Sequence, residues 1–123
     1  MANSRMQNDS MNHKVLKPIP LQIVWTAGAP AVAWNPENEA VTLTDNGAGD
    51  LTITLGVASL VPIKLMGAPA IQVADANTLS LEVNVDGAPT TTAIKLVFNS
   101  GADGATETDP VACDLTILKY VVA

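Results

Sequence analysis

The side chains able to do chemistry are few in this sequence. There is one histidine, His13, and one cysteine, Cys113. Nucleophilic hydrolysis needs a serine or cysteine beside a base that a third group holds in place. None of the five serines (Ser4, Ser10, Ser59, Ser80, Ser100) sits in a Gly-x-Ser-x-Gly turn, and His13 falls in a polar N-terminal stretch outside the apolar segments. Cys113 lies in Val111-Ala-Cys-Asp-Leu115, where the alternation marks it as a small buried hydrophobe. Its neighbour Asp114 opposes thiolate formation. A lone cysteine excludes an intramolecular disulfide and fits synthesis in a reducing compartment.

Carboxylates are more plentiful. Most of the 12 acids fall in expected turns, such as Asp45, Asp50, Asp86 and Asp103, or at outward strand positions, such as Glu82. A carboxylate pair for glycoside hydrolysis would need a sugar cleft, commonly lined with aromatics, and only Trp25, Trp34, Phe98 and Tyr120 are present. The segments 45–50 and 103–109 are rich in oxygen ligands of the kind calcium takes, but neither has the EF-hand spacing. Asp, Asn and Gly are favoured in hairpin turns for backbone reasons alone. Gly47-Ala-Gly49 leads into a strand pattern, so no helix N-terminus is placed to cradle phosphate. Asn8-Asp-Ser10 has glycosylation spacing, but residues 1–17 carry no apolar leader that would send it to an oxidising compartment. The expectation is a non-enzymatic protein with no catalytic residue, no cofactor and no metal.

The elements that would have to position these groups read as strands. Leu21, Ile23 and Trp25 alternate onto one face, and Ala31–Trp34 follows a Gly28-Ala-Pro30 break. Ala40–Thr44 and Leu51–Leu55 alternate apolar residues with Thr around Asp45-Asn-Gly-Ala-Gly-Asp50, where Asn-Gly offers the positive φ of a hairpin turn. Leu60–Met66 contains Pro62, which points to an edge strand or a bulge. Ala70–Ala74, Thr78–Val85, Ala93–Phe98 and Cys113–Val122 complete the set, the last with a parity slip between Ile117 and Leu118 that suggests a bulge or burial on both faces. No stretch shows a helical period. The expected fold is all-β: a β-sandwich, jelly-roll-like, of roughly eight short antiparallel strands. Residues 1–17 form an extended polar arm, and 18–123 a single domain. Outward Thr42, Thr44, Thr52, Thr54 and Thr90–Thr92, beside small Ala and Gly, suit close protein packing and equally suit ordinary solvated strands.

Composition agrees with one small domain of 123 residues. It is 48% hydrophobic but 3% aromatic, so the core must be aliphatic. The net charge is −6, spread unevenly: +2 over residues 1–17 and −8 over 18–123. The body has too few cations to neutralise a nucleic-acid backbone. No apolar run reaches the roughly 18–20 residues of a membrane helix, so no membrane partner is expected. A basic arm on an acidic body can dock on an acidic neighbour and order there.

Val41-Thr-Leu-Thr-Asp-Asn-Gly-Ala-Gly-Asp-Leu-Thr-Ile-Thr-Leu55, followed by Leu79–Val85, Ile94–Asn99, a loop ending Thr108-Asp-Pro110 and a last strand to Val122, resembles small structural proteins of tailed bacteriophages. The likeness covers residues 40–123 and rests largely on hairpin chemistry. It implies a virion β-sandwich of the capsid decoration (cement) kind, made in the host cytoplasm and placed on the outer capsid surface. There it would bridge neighbouring subunits of the major capsid protein, commonly as a homotrimer. The capsid contacts expected on this reading are Arg5, Lys14 and Lys17 of the arm, with Trp25 and Trp34. The alternative is a tail-fibre or receptor-binding head module recognising a host glycan. The low aromatic content and the absence of a shaft, in a chain that reads as complete, weigh against it.

Overall fold

The computed structural model describes residues 15–26, 29–72, 81–100 and 107–123. Among these described residues, eight strands form two antiparallel sheets. The first sheet holds β1 (Leu16–Thr26), β2 (Ala29–Trp34), β5 (Lys64–Gln72) and β8 (Ala112–Val122), in the order β2-β1-β8-β5. The second holds β3 (Val41–Gly47), β4 (Asp50–Leu55), β6 (Leu81–Val85) and β7 (Ala93–Ser100), in the order β3-β4-β7-β6. The all-β sandwich is therefore as expected. Its winding differs from a jelly roll, whose successive strands cross between sheets, because β1–β2, β3–β4 and β6–β7 are hairpins within one sheet.

The inward face of each strand is aliphatic because alternation places it there. Leu21, Ile23 and Trp25 of β1 and Cys113, Leu115 and Ile117 of β8 meet Leu51, Ile53 and Leu55 of β4 and Ile94, Leu96 and Phe98 of β7. Trp25 and Phe98 stack edge to face at 5.0 Å. That geometry adds about 1 kcal/mol to the burial of both rings.

Several local expectations are refined. The first strand begins at Leu16, so Leu16 and Lys17 pair with Val122 and Val121 rather than belonging to a free arm. Pro18 and Pro20 are tolerated in β1 because their positions lie beyond the reach of β2, which pairs only from Gln22 onward. The hairpin between β3 and β4 turns at Ala48-Gly49, two residues past the Asn-Gly pair. Asn46 is instead bulged out of the ladder, its amide donating to Thr52 Oγ1 at 2.8 Å. Leu60–Met66 and Ala70–Ala74, expected as two strands, are joined: Lys64–Gln72 is one edge strand bulged between Met66 and Ala70, with Gly67 at φ 63°. Pro62 stands just before it. Residues 73–80 and 101–106, which carry parts of the expected strands and of the second oxygen-rich loop, lie outside the described residues.

The last strand departs most from the sequence reading. Its register against β1 runs unbroken from Leu16–Val122 to Thr26–Ala112, so there is no parity slip. Cys113, Leu115, Ile117 and Lys119 all point inward, and the lysine takes the fourth core position.

Candidate functional site

One end of the sandwich gathers most of the exposed apolar side chains. It is built by the start of β1, the finish of β8, the 56–63 segment that crosses from β4 to β5, and the 86–92 turn between β6 and β7. The crossing segment is tied to both sheets. Ser59 N donates to Thr91 O at 2.8 Å, Ile63 N to Thr90 O at 3.0 Å and Leu60 N to Tyr120 O at 2.8 Å. Pro62 cannot donate, and the β5–β8 ladder ends at Lys64–Leu118. The buried Ser59 takes over: its Oγ accepts the Tyr120 N–H at 2.9 Å. Gly56 N donates to Ala40 O at 2.6 Å, closing the segment onto the β2–β3 connection.

Held in this way, the end presents Val15, Leu16, Val57, Leu60 and Val122 to solvent. Leu16, Tyr120 and Val122 share the outer face of the first sheet, and the Lys64 ammonium stands 5.9 Å from the Tyr120 ring centre. A furrow of about 580 Å³ lies among Leu16, Val61, Pro62, Lys64, Pro89 and Tyr120. It continues past Ile63 and Pro89 into a second hollow of about 490 Å³ bounded by Val83, Asn84 and Val85 of β6. Its walls are largely apolar.

Beneath the same end lies a polar cluster. Lys119 Nζ donates to Glu39 Oε2 at 2.7 Å and to Val57 O at 3.4 Å, with the two charged side chains only 2% and 5% exposed. Asn35 Nδ2 donates to Glu39 O at 2.6 Å. Asn35 Oδ1 and Glu39 Oε1 are buried and accept no hydrogen bond among the described residues. Sequence reasoning missed this cluster. The only signal is Lys119 falling in phase with Cys113, Leu115 and Ile117, which taken alone resembles a break in the pattern.

At the opposite margin, the oxygen-rich 45–50 turn meets the 107–110 segment through backbone contacts. Gly49 N donates to Asp109 Oδ1 at 2.6 Å, Phe98 N donates to Gly49 O at 2.7 Å and Thr108 N donates to Phe98 O at 2.9 Å. Along β7, Lys95 is faced by Asp50 from this margin at 3.5 Å and by Asp86 from the β6–β7 turn at 3.2 Å. These carboxylates act as hydrogen-bond and charge partners of the fold. Among the described residues no group of three His, Cys, Asp or Glu could hold a metal ion.

The expected contact residues separate. Arg5 and Lys14 lie outside the described residues. Lys17 is exposed on β1, and Trp34 is 54% exposed at the end of edge strand β2. Trp25 is 4% exposed and packed on Phe98, so as a surface contact it is corrected: its parity with Leu21 and Ile23 commits the ring to the core. Cys113 is buried as expected, its thiol pushed up from 9.0 to about 12 by desolvation and then by Asp114. Compared with protein-family models, curated proteins and solved structures, the chain matches none.

Proposed function

We propose that this chain is a virion structural protein that seats on the outer surface of a phage capsid and stabilises the shell by bridging neighbouring subunits of the major capsid protein. The observation that supports the reading is the apolar end of the sandwich. Leu16 and Val122 are held out to solvent by their pairing in the first sheet, and Val57 and Leu60 by a segment hydrogen-bonded to both sheets, so docking there costs little ordering entropy. Exposed apolar side chains gathered around a furrow mark a surface made to be covered by protein. Trp34, on an open sheet edge, supplies a second contact of the residue type enriched at interface hot spots. A homotrimer would cover some of the edges β2, β5, β3 and β6, which have no further strand beside them among the described residues and so invite strand addition.

The experiment locates the protein on intact particles by cryo-electron microscopy or gold labelling, then measures its binding to shells stripped of it. The expected result is density across the icosahedral faces. Leu60→Asp and Val122→Asp should each weaken binding about tenfold or more, the equivalent of about 1.4 kcal/mol, while leaving the fold intact. Label confined to the tail would replace this reading with a fibre-head role. Unchanged binding of both variants would remove the apolar end from it.

A further inference from the structure

Among the described residues Lys119 is the one lysine whose side chain is buried, and its surroundings are those of a reaction as much as of an ion pair. Its amine touches the Glu39 carboxylate at 2.7 Å. The Asn35 carboxamide is pinned to the main chain of that same glutamate at 2.6 Å, in a connection tightened by the Asn38 N to Asn35 O bond at 3.0 Å and by Asn38 at φ 49°. The remaining oxygens of both side chains, Glu39 Oε1 and Asn35 Oδ1, are buried with no donor among the described residues. Native folds rarely leave two such acceptors in one cluster, and a feature of this kind calls for a cause.

A buried amine, a carboxylate in contact with it and a carboxamide bonded to the main-chain carbonyl of that same glutamate supply the three parts of an amide transfer: nucleophile, proton carrier and electrophile. We propose that Lys119 Nζ condenses with the Asn35 side chain, forming an intramolecular isopeptide bond, with Glu39 as the proton carrier. Lys119 first passes a proton to Glu39 Oε2 and becomes a neutral amine. The carboxylic acid so formed is a donor, and it supplies the hydrogen bond that Asn35 Oδ1 lacks, polarising the carbonyl. Nζ swings from Glu39 onto Asn35 Cγ, and its lone pair makes the new C–N bond. The tetrahedral carbon collapses by breaking the Cγ–Nδ2 bond. Nδ2 departs as ammonia, taking up the proton shed by Nζ, and picks up the proton held by Glu39 to leave as ammonium. An alkylammonium and a carboxamide thus become a secondary amide and ammonium, the glutamate is regenerated, and nothing is oxidised or reduced.

The bond would join the β2–β3 connection to β8, closing the chain between residues 35 and 119 in a protein whose single cysteine offers no disulfide. It would also brace the end of the sandwich that carries the exposed apolar side chains.

The test is the intact mass of the full-length folded protein, with proteolytic mapping. The expected result is a mass about 17 Da below that of the sequence, the loss of one ammonia on forming the acyl–nitrogen bond. A branched peptide should join Asn35 to Lys119. Asn35→Ala, Lys119→Met and Glu39→Gln should all restore the sequence mass. Because the unaltered protein decides the matter, poor folding of a variant leaves the test intact. A full sequence mass after prolonged incubation of the folded protein, with Lys119 cleavable by trypsin, would overturn the proposal. So would an ammonia loss that maps to a succinimide at Asn46-Gly47, or one that persists in Asn35→Ala.

Discussion

Replacing Gly49 with alanine separates two effects that glycine substitutions usually confound. Gly49 sits at φ +69°, and a Cβ there would lie 2.5 Å from Thr108 N, 2.7 Å from Phe98 O and 2.9 Å from Thr108 O, all main-chain atoms without a rotamer to escape into. Gly87, at φ +76°, carries nearly the same backbone strain with nothing within 4 Å. The left-handed penalty, about 1–2 kcal/mol, applies to both. Only at Gly49 must the 107–110 segment retreat, which breaks the bonds Gly49 N to Asp109 and Thr108 N to Phe98 O. At about 1 kcal/mol for the neutral bond and about 2 for the one to carboxylate, Gly49→Ala should cost about 3 kcal/mol more than Gly87→Ala. That is a large share of the roughly 5–15 kcal/mol that holds a domain together. Urea titration of both variants reads the difference as a shift in midpoint at constant slope. Equal midpoints for the two would refute the reasoning and show that the 107–110 segment yields freely.

Ser59→Ala removes the acceptor of the Tyr120 N–H and should cost about 1–2 kcal/mol in the same titration, because the orphaned donor stays buried. Trp34→Ala should change stability by less than about 1 kcal/mol while weakening shell binding, whereas Trp25→Ala should cost about 3–5 kcal/mol. Equal losses for the two tryptophans would contradict their placement. Cys113 should resist a disulfide reagent at pH 8 in the native protein and react at once in urea, since burial holds its thiol up near 12. The folded value lies above the unfolded one, so the neutral thiol's contribution is whole below about pH 9 and is lost as pH climbs toward 12. Lys95 works in the same direction at a higher pH: its hydrogen bond to Asp86 and the charge of Asp50 raise it above 10.5, so its contribution also fades on the alkaline side. The urea midpoint should therefore fall between pH 9 and 12, and Cys113→Ala should flatten the first part of that fall. An unchanged profile in Cys113→Ala would assign the alkaline loss to other groups.

What is legible in the sequence follows from local periodicity. The 41–55 hairpin can be read because both strands alternate apolar residues with Thr around a Gly-rich turn, and the structure moves only the turn centre from Asn46-Gly47 to Ala48-Gly49. The residues that matter most at the apolar end are not legible, because their partners are remote in the chain. Ser59 completes the ladder of a strand 61 positions away, and Glu39 meets a lysine 80 positions away. The same blindness explains the error in the last strand. A lysine in the fourth core position looks like a broken pattern to anyone assuming that a buried charge needs a neighbour in sequence. Once Glu39 is brought in by the β2–β3 connection, the alternation is unbroken, and the supposed slip becomes the most chemically loaded position in the core. A charge that breaks an otherwise regular apolar phase is therefore better read as an inward side chain with a distant partner than as a change of register. In this chain the phase of Cys113, Leu115 and Ile117 is sufficient by itself to demand such a partner for Lys119, because a lone buried ammonium costs more than the fold can carry.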